Sequence, residues 1–198
     1  MGAPTRVWVT ITLAWVLMAL GCGATSDFMK PAQSSSIQRP AAGKALVWIA
    51  RPSRVGSSMT FTLMDERGRF LGEALPGTRF AVLMDPGEHM LIVWSEGQQA
   101  MKATLAPGKT YYVHVTPKIG MWKAGAAIYP VKRNTERWNQ KELWKRLQVL
   151  AVDAANGQAH FESMREEVDA AVKGGMEAFE GYSAEEKAAA TMGPEHGE

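Results

Sequence analysis

One cysteine, four histidines and four tyrosines among 198 residues leave little material for several kinds of chemistry. A single thiol cannot close an intramolecular disulfide, and it excludes zinc or thiol sites built from several cysteines. The sequence has no Gly-rich phosphate cradle, no G-x-S-x-G elbow, and no HxH or HExxH pair. His89 shares a strand face with Leu91 and Val93, and His114 shares one with Tyr112. Two such histidines could meet across a sheet and hold a metal, but no clustered carboxylate accompanies them, so satisfied or surface histidines are expected. Asp65-Glu66 and Asp85/Glu88 fall at turns, where acids serve local hydrogen bonding. No catalytic constellation is visible, and neither a metal nor a cofactor is expected.

Long apolar runs are also scarce. The longest, Val7–Leu20, follows Arg6 and is too short for a stable transmembrane helix, which needs about 20 residues. A basic start, a short apolar core and a small-residue end are the layout of a secretory signal peptide. Ala19-Leu20-Gly21-Cys22 resembles the lipobox of bacterial lipoproteins. That resemblance implies cleavage after residue 21, lipid (palmitate among the acyl groups) on Cys22, and a membrane anchor. The competing reading is an ordinary leader cut nearby, leaving Cys22 as a free thiol. Gly23 follows the cysteine instead of the Asp that retains enterobacterial lipoproteins at the inner membrane. The resemblance therefore points to the outer membrane, facing the periplasm.

Removing residues 1–21 leaves 177 of the 198, enough for one domain and an appendage. Charge is balanced overall but not along the chain. Residues 28–161 carry 18 Lys/Arg against 9 Asp/Glu, whereas 162–198 carry 3 against 10. Either the acidic end docks on the basic body, or each half faces a different partner, or the two surfaces are simply solvated. Residues 22–43, rich in Ser, Ala, Pro and Gly, read as a lipidated flexible tether.

From residue 44 to 132, short β-type runs alternate with turn signals. Ala45–Ala50, Met59–Leu63, Phe70–Ala74, Arg79–Met84, His89–Trp94, Met101–Leu105, Tyr111–Val115 and Ala126–Val131 read as strands. Pro76-Gly77, Pro86-Gly87 and Pro107-Gly108 have the composition of type II turns. The period becomes helical over 133–192. Leu143, Leu147, Val149 and Leu150 share one helical face, and Asn156-Gly157 reads as a break. Phe161, Met164, Val168, Val172 and Phe179 mark a second amphipathic helix, weakened at Gly174-Gly175. Ser183-Ala184-Glu185-Glu186 is a capping box, and residues 193–198 read as a disordered tail.

Candidate surface contacts are Trp122 between Lys118 and Lys123, and Arg137, Lys141 and Lys145 on a basic stripe beginning at Arg133. An aromatic beside lysines can touch a sugar or a lipid interface, but such a Trp more often folds back as a lid. The stripe could face anionic headgroups or the protein's own acidic end.

Three blocks carry a second resemblance: Trp48-Ile49-Ala50-Arg51-Pro52-Ser53, Leu83-Met84-Asp85-Pro86-Gly87-Glu88-His89, and Ala106-Pro107-Gly108-Lys109-Thr110-Tyr111-Tyr112-Val113. Together they resemble a bacterial lipoprotein domain of unknown function that opens on an aromatic strand with Arg-Pro-Ser and closes on Gly-Lys-x-Tyr-Tyr-Val. The resemblance covers residues 44–131 and implies a prealbumin-like or carboxypeptidase-regulatory-like sandwich without catalytic residues. The expected protein is mainly β: an antiparallel β-sandwich of seven to eight strands followed by a helical C-terminal segment. It is lipid-anchored in the cell envelope and acts by binding an envelope protein or polymer, or by structural support, with nucleic acid excluded. Two alternatives are an envelope-polymer hydrolase and an assembly subunit docked through the C-terminal helices.

Overall fold

The computed structural model describes residues 24–33, 39–119 and 124–198. The leader, Cys22, Trp122 and Lys123 lie outside them. A short strand, β1 (Met29–Pro31), precedes the eight strands of the β-rich region. These are β2 (Ala45–Arg51), β3 (Phe61–Asp65), β4 (Phe70–Ala74), β5 (Thr78–Met84), β6 (Gly87–Trp94), β7 (Gln98–Leu105), β8 (Thr110–Ile119) and β9 (Ala124–Pro130). Then come α1 (Glu136–Trp144), β10 (Gln148–Val152), α2 (Ala154–Ser163), α3 (Arg165–Glu180), α4 (Ala184–Ala189), β11 (Thr191–Met192) and a closing 3-10 turn at Pro194–His196.

The strands form two sheets. The first has the order β1-β10-β5-β2-β8-β9 and the second β11-β7-β6-β3-β4. Both are mixed, which corrects the expectation of purely antiparallel pairing. β2 runs parallel to β8, β10 to β5 and β11 to β7. Hairpins make β3–β4, β6–β7 and β8–β9 antiparallel, while strands that meet from farther along the chain pair in either direction, β1–β10, β2–β5 and β3–β6 being antiparallel too.

Between the sheets lies one hydrophobic core. Val47, Ile49, Phe80 and Val113 of the first sheet meet Phe61, Leu63, Leu91 and Met101 of the second, all fully buried. Each such side chain contributes about 1.5–3 kcal/mol by leaving water. Turn chemistry matches the sequence reading at Gly77 and Gly108, whose φ values of 70° and 72° favour glycine.

Arg51, the last residue of β2, is fully buried, yet no carboxylate pairs with it. Its Nη1 donates to Met59 O (2.6 Å) and Ala74 O (3.0 Å), and its Nη2 to Val55 O (3.1 Å) and Gly56 O (2.7 Å). The guanidinium lies 3.9 Å from the centre of the Phe61 ring. Burial pulls its pKa down to about 10. Arg51 therefore fixes the 52–60 loop to the core through backbone acceptors.

The C-terminal segment differs most from its sequence pattern. Leu147, Val149 and Leu150 do not continue a helical face. The helix stops at Trp144, and Gln148–Val152 become a strand because the edge of β5 is open at Thr78–Phe80. Pairing there places Leu150 in the main core and Val149 in a cluster with Leu46, Trp48 and Ala81. Tertiary pairing overrides the local period. Leu143 is left 61% exposed.

Asn156-Gly157 does not break the chain either. Asp153 caps α2 by accepting from Asn156 N–H, and the break comes at Met164. Gly157 permits close approach instead: a Cβ there would stand 2.2 Å from Phe70 Cδ1. Gly175 does the same against Ile92, at 2.6 Å, and α3 runs through it unbroken. Phe161, Val168 and Phe179 are buried in the main core, and the Ser183–Glu186 capping box forms.

Both presumed flexible ends are ordered where described. Residues 29–31 pair with Leu150–Val152, so the tether is not free over its whole length. At the other end, Glu198 N–H donates to Thr110 O (3.0 Å) and Thr110 N–H to Glu198 O (2.7 Å). This pairing fills the stretch of β8 that β9, which begins pairing at Val113, leaves bare.

Candidate functional site

A wide concavity follows from where β10 leaves β5. The two pair only over Gln148–Leu150 and Thr78–Phe80. Beyond that point Asp153 N–H bonds Phe28 O at 2.7 Å and Lys30 pairs with Asp153 at 2.9 Å, drawing the chain toward β1 and into α2. Among the described residues, no strand pairs with Ala81–Met84 on the side away from β2.

The result is a groove of about 1040 Å³. Phe70 and Leu71 of β4, Ala81–Leu83 of β5, and Ala151–Val152 with Ala154–Ala155 supply its apolar lining; Arg39, Arg69 and Gln158 supply its polar atoms. Leu83 is 45% exposed. The neighbouring edge of β4 is already covered. Phe70 N–H donates to Gln158 Oε1 (2.9 Å) and Glu73 N–H to Met29 Sδ (3.3 Å). The free backbone edge thus belongs to β5.

The basic stripe lies elsewhere, where α1 covers the outer face of the first sheet. Trp144 packs with Ala50 and Val131, flanked by Tyr112, Trp138 and Leu147. Lys141 Nζ sits 3.6 Å from the Trp138 ring centre and 4.9 Å from that of Tyr112. It also donates to Glu198 Oε2 (2.6 Å), whose other oxygen accepts from the Tyr112 hydroxyl (2.7 Å). Burial of the Glu198 carboxyl opposes ionisation, but these two hydrogen bonds and the charges of Lys141 and Arg133 together outweigh it and hold its pKa low. Burial, then Glu198, pushes the Tyr112 phenol up. Arg133 donates to Gly197 O (2.8 Å), Lys109 to Pro194 O (2.9 Å), and Lys132 to Ala188 O. The end of the chain thus rests on the basic body through three carbonyls and one carboxylate, that of Glu198.

The remaining candidate contacts divide. Arg137 is exposed, with its guanidinium 4.3 Å from the Tyr129 ring centre. Lys145 is exposed and paired with Glu142, and Lys118 is exposed on β8. The structure therefore brings Arg133, Lys141 and Glu198 together but not Lys118 or Lys145 with them.

His89 and His114 stand on different sheets, so they do not meet across one. Burial, then the charge of Arg137, lowers the His114 pKa to about 4, and its ring lies 5.3 Å from Trp144. The turn acids surround a hollow of about 400 Å³, but all are engaged, Asp85 with Lys44 and Glu88 with Lys102. Asp65 Oδ1 accepts from Arg67 and Arg69 N–H (3.0 Å each), and Glu66 Oε2 accepts from Met90 N–H (3.0 Å). No group of three or more His, Cys, Asp and Glu suited to a metal occurs among the described residues, and no helix among them could cross a membrane.

Leu83, Val82 and Ala151, the flanks of the groove, carried no signal as sequence. Their role depends on two strands separated by some seventy residues diverging after three paired positions.

A scan of family models, a search of curated proteins and a search of solved structures each returned no match for this chain.

Proposed function

We propose that this chain is a lipid-anchored cell-envelope protein whose β-sandwich is non-catalytic and binds an extended segment of a partner polypeptide along the free edge of β5. The lipobox-like Ala19–Cys22 supports the anchor, and the three sequence blocks over 44–131 support a lipoprotein sandwich of the prealbumin-like kind. The observation that supports the binding site is the stretch Ala81–Met84, which among the described residues has no strand on the side away from β2 and faces an apolar groove. A strand laid there gains main-chain hydrogen bonds from β5 and buries alternate side chains against Phe70, Leu83 and Ala151. Arg69 already pairs with Asp65 (2.9 Å), so Arg39 is the lining's cation for a carboxylate on the incoming segment. An outer-membrane address facing the periplasm follows from Gly23 after the cysteine.

Random peptides displayed on phage, selected on the immobilised protein, test the groove. The expected result is enrichment of alternating apolar sequences with one acid, protecting the amides of residues 81–84 from hydrogen exchange. Enrichment should disappear with Leu83→Glu. Laurate is the comparison ligand: protection by laurate alone would keep the groove as a binding site but overturn the strand mode. Mass spectrometry of the protein, beside a Cys22→Ser control, tests the anchor independently. The helical-docking alternative finds less support, because Phe161, Val168 and Phe179 are spent on the protein's own core.

A further inference from the structure

The described chain is fastened to the body at its first residue: Ala24 N–H donates to Ser57 O at 2.6 Å. Ser57 belongs to the β2–β3 loop that Arg51 holds through Val55 O and Gly56 O. The loop is further closed by Met59 N–H to Gly56 O (2.9 Å) and Val55 N–H to Ser53 Oγ (3.1 Å). Gly56 takes a φ of 64°, as such a tight return requires. A loop fixed this firmly would be expected to turn its apolar side chain inward. Val55 is instead 55% exposed, and Arg54 beside it is exposed as well.

Covalent geometry links this loop to the anchor. Two residues of fully extended chain span about 7 Å, so Cys22 lies no farther than that from Ala24. Acyl chains on Cys22 would bring the bilayer surface to the same end of the molecule as Ser57. Building on the anchor read above, we infer that the Arg54–Ser58 loop is a membrane-contact surface. Val55 enters the headgroup–acyl boundary and Arg54 faces lipid phosphate. A small apolar side chain flanked by a cation suits the interface, where the stem is buried and the charge stays at headgroup level. Asp27, exposed on the segment leading to β1, is the nearest acid along the chain and limits how much anionic lipid adds.

The far end of β5 provides the control. Arg51 pairs with Thr78 and Ala45 with Met84, so the turn before Glu88 lies a full strand away, about 20 Å. The experiment uses the full lipidated protein in phosphatidylethanolamine–phosphatidylglycerol vesicles, with a nitroxide on Val55→Cys, on Ser58→Cys, or on Glu88→Cys. Acylation of Cys22 leaves the introduced thiol as the labelling site. Power-saturation measurements compare collision with oxygen, which partitions into lipid, and with a water-soluble nickel chelate. The expected result is at least a threefold loss of nickel accessibility at 55 relative to 88, with 58 intermediate. Mass spectrometry separates the two ways of failing. An unacylated Cys22 would remove the anchor on which the inference rests. An acylated Cys22 with labels at 55 and 58 as nickel-accessible as at 88 would overturn the membrane-contact loop itself.

Discussion

Replacing Arg51 by Met is the sharpest perturbation of the fold. Met keeps much of the aliphatic packing over Phe61 but removes every donor. The Ala74 carbonyl then loses its buried charge-assisted donor, at a cost of about 1–3 kcal/mol. The carbonyls of Val55, Gly56 and Met59 are only partly buried and recruit water, so each costs a fraction of that. Against these losses, Met no longer has to desolvate a cation that lacks a counter-ion, which returns part of the free energy. The balance is a net loss of about 3 kcal/mol, because four charge-assisted bonds vanish together. In a protein of this size each kcal/mol lowers Tm by about 2–4 °C, so a fall of about 6–12 °C is expected. Urea denaturation followed by tryptophan fluorescence gives the free energy, and hydrogen exchange over residues 53–59 should speed up in parallel. Arg51→Lys should recover little, since an ammonium cannot lie flat on Phe61 while reaching four carbonyls. A Met variant as stable as the parent, with the loop equally protected, would refute the account of this residue.

His114 gives a pH signature. Burial lowers its folded pKa to about 4 from the ordinary 6.5, so between those values the unfolded chain binds a proton that the folded one refuses. Stability contributed by the neutral ring is complete above pH 6.5 and falls by up to about 3 kcal/mol as pH drops to 4; His114→Phe should flatten that limb, and an unchanged acid slope in the variant would contradict the assignment. Gly157→Ala should destabilise by about 1–3 kcal/mol through its collision with Phe70, although alanine favours helix by ~1 kcal/mol elsewhere; a gain in the urea midpoint would mean α2 does not pack this tightly. Lys141→Met and Glu198→Gln, measured singly and together, should show a coupling of about 1 kcal/mol that weakens only modestly in salt, given that Lys141 is 10% exposed. Zero coupling would mean the acidic end is not held there.

Much of the fold was legible because its local and global signals agree. β2, with seven buried residues in succession, reads as a strand covered on both faces, and the glycines at 77 and 108 mark their turns by composition. β3 begins two residues later than its alternation suggests, since Met59 and Thr60 belong to the loop held by Arg51. The failures share a cause: a contact with a distant residue reversed a local preference. Val149 and Leu150 fit a helical face until the bare edge of β5 is known, and Asn156-Gly157 looks like punctuation until Phe70 is seen to need the space. The groove was illegible for the same reason. Of the basic stripe, spacing alone identified the residues that meet the acidic end but could not say which would.

Both sheets are finished by strands from the last quarter of the chain. β10 supplies the partner for β1 and β5, and β11 caps β7. A polypeptide emerging from its amino end therefore cannot complete the first layer until residue 152 is available, nor the second until residue 192. Pairings so remote in sequence are slow to form, since a large loop must close before any contact rewards it. Such a chain cannot close its sheets until most of it has been synthesised.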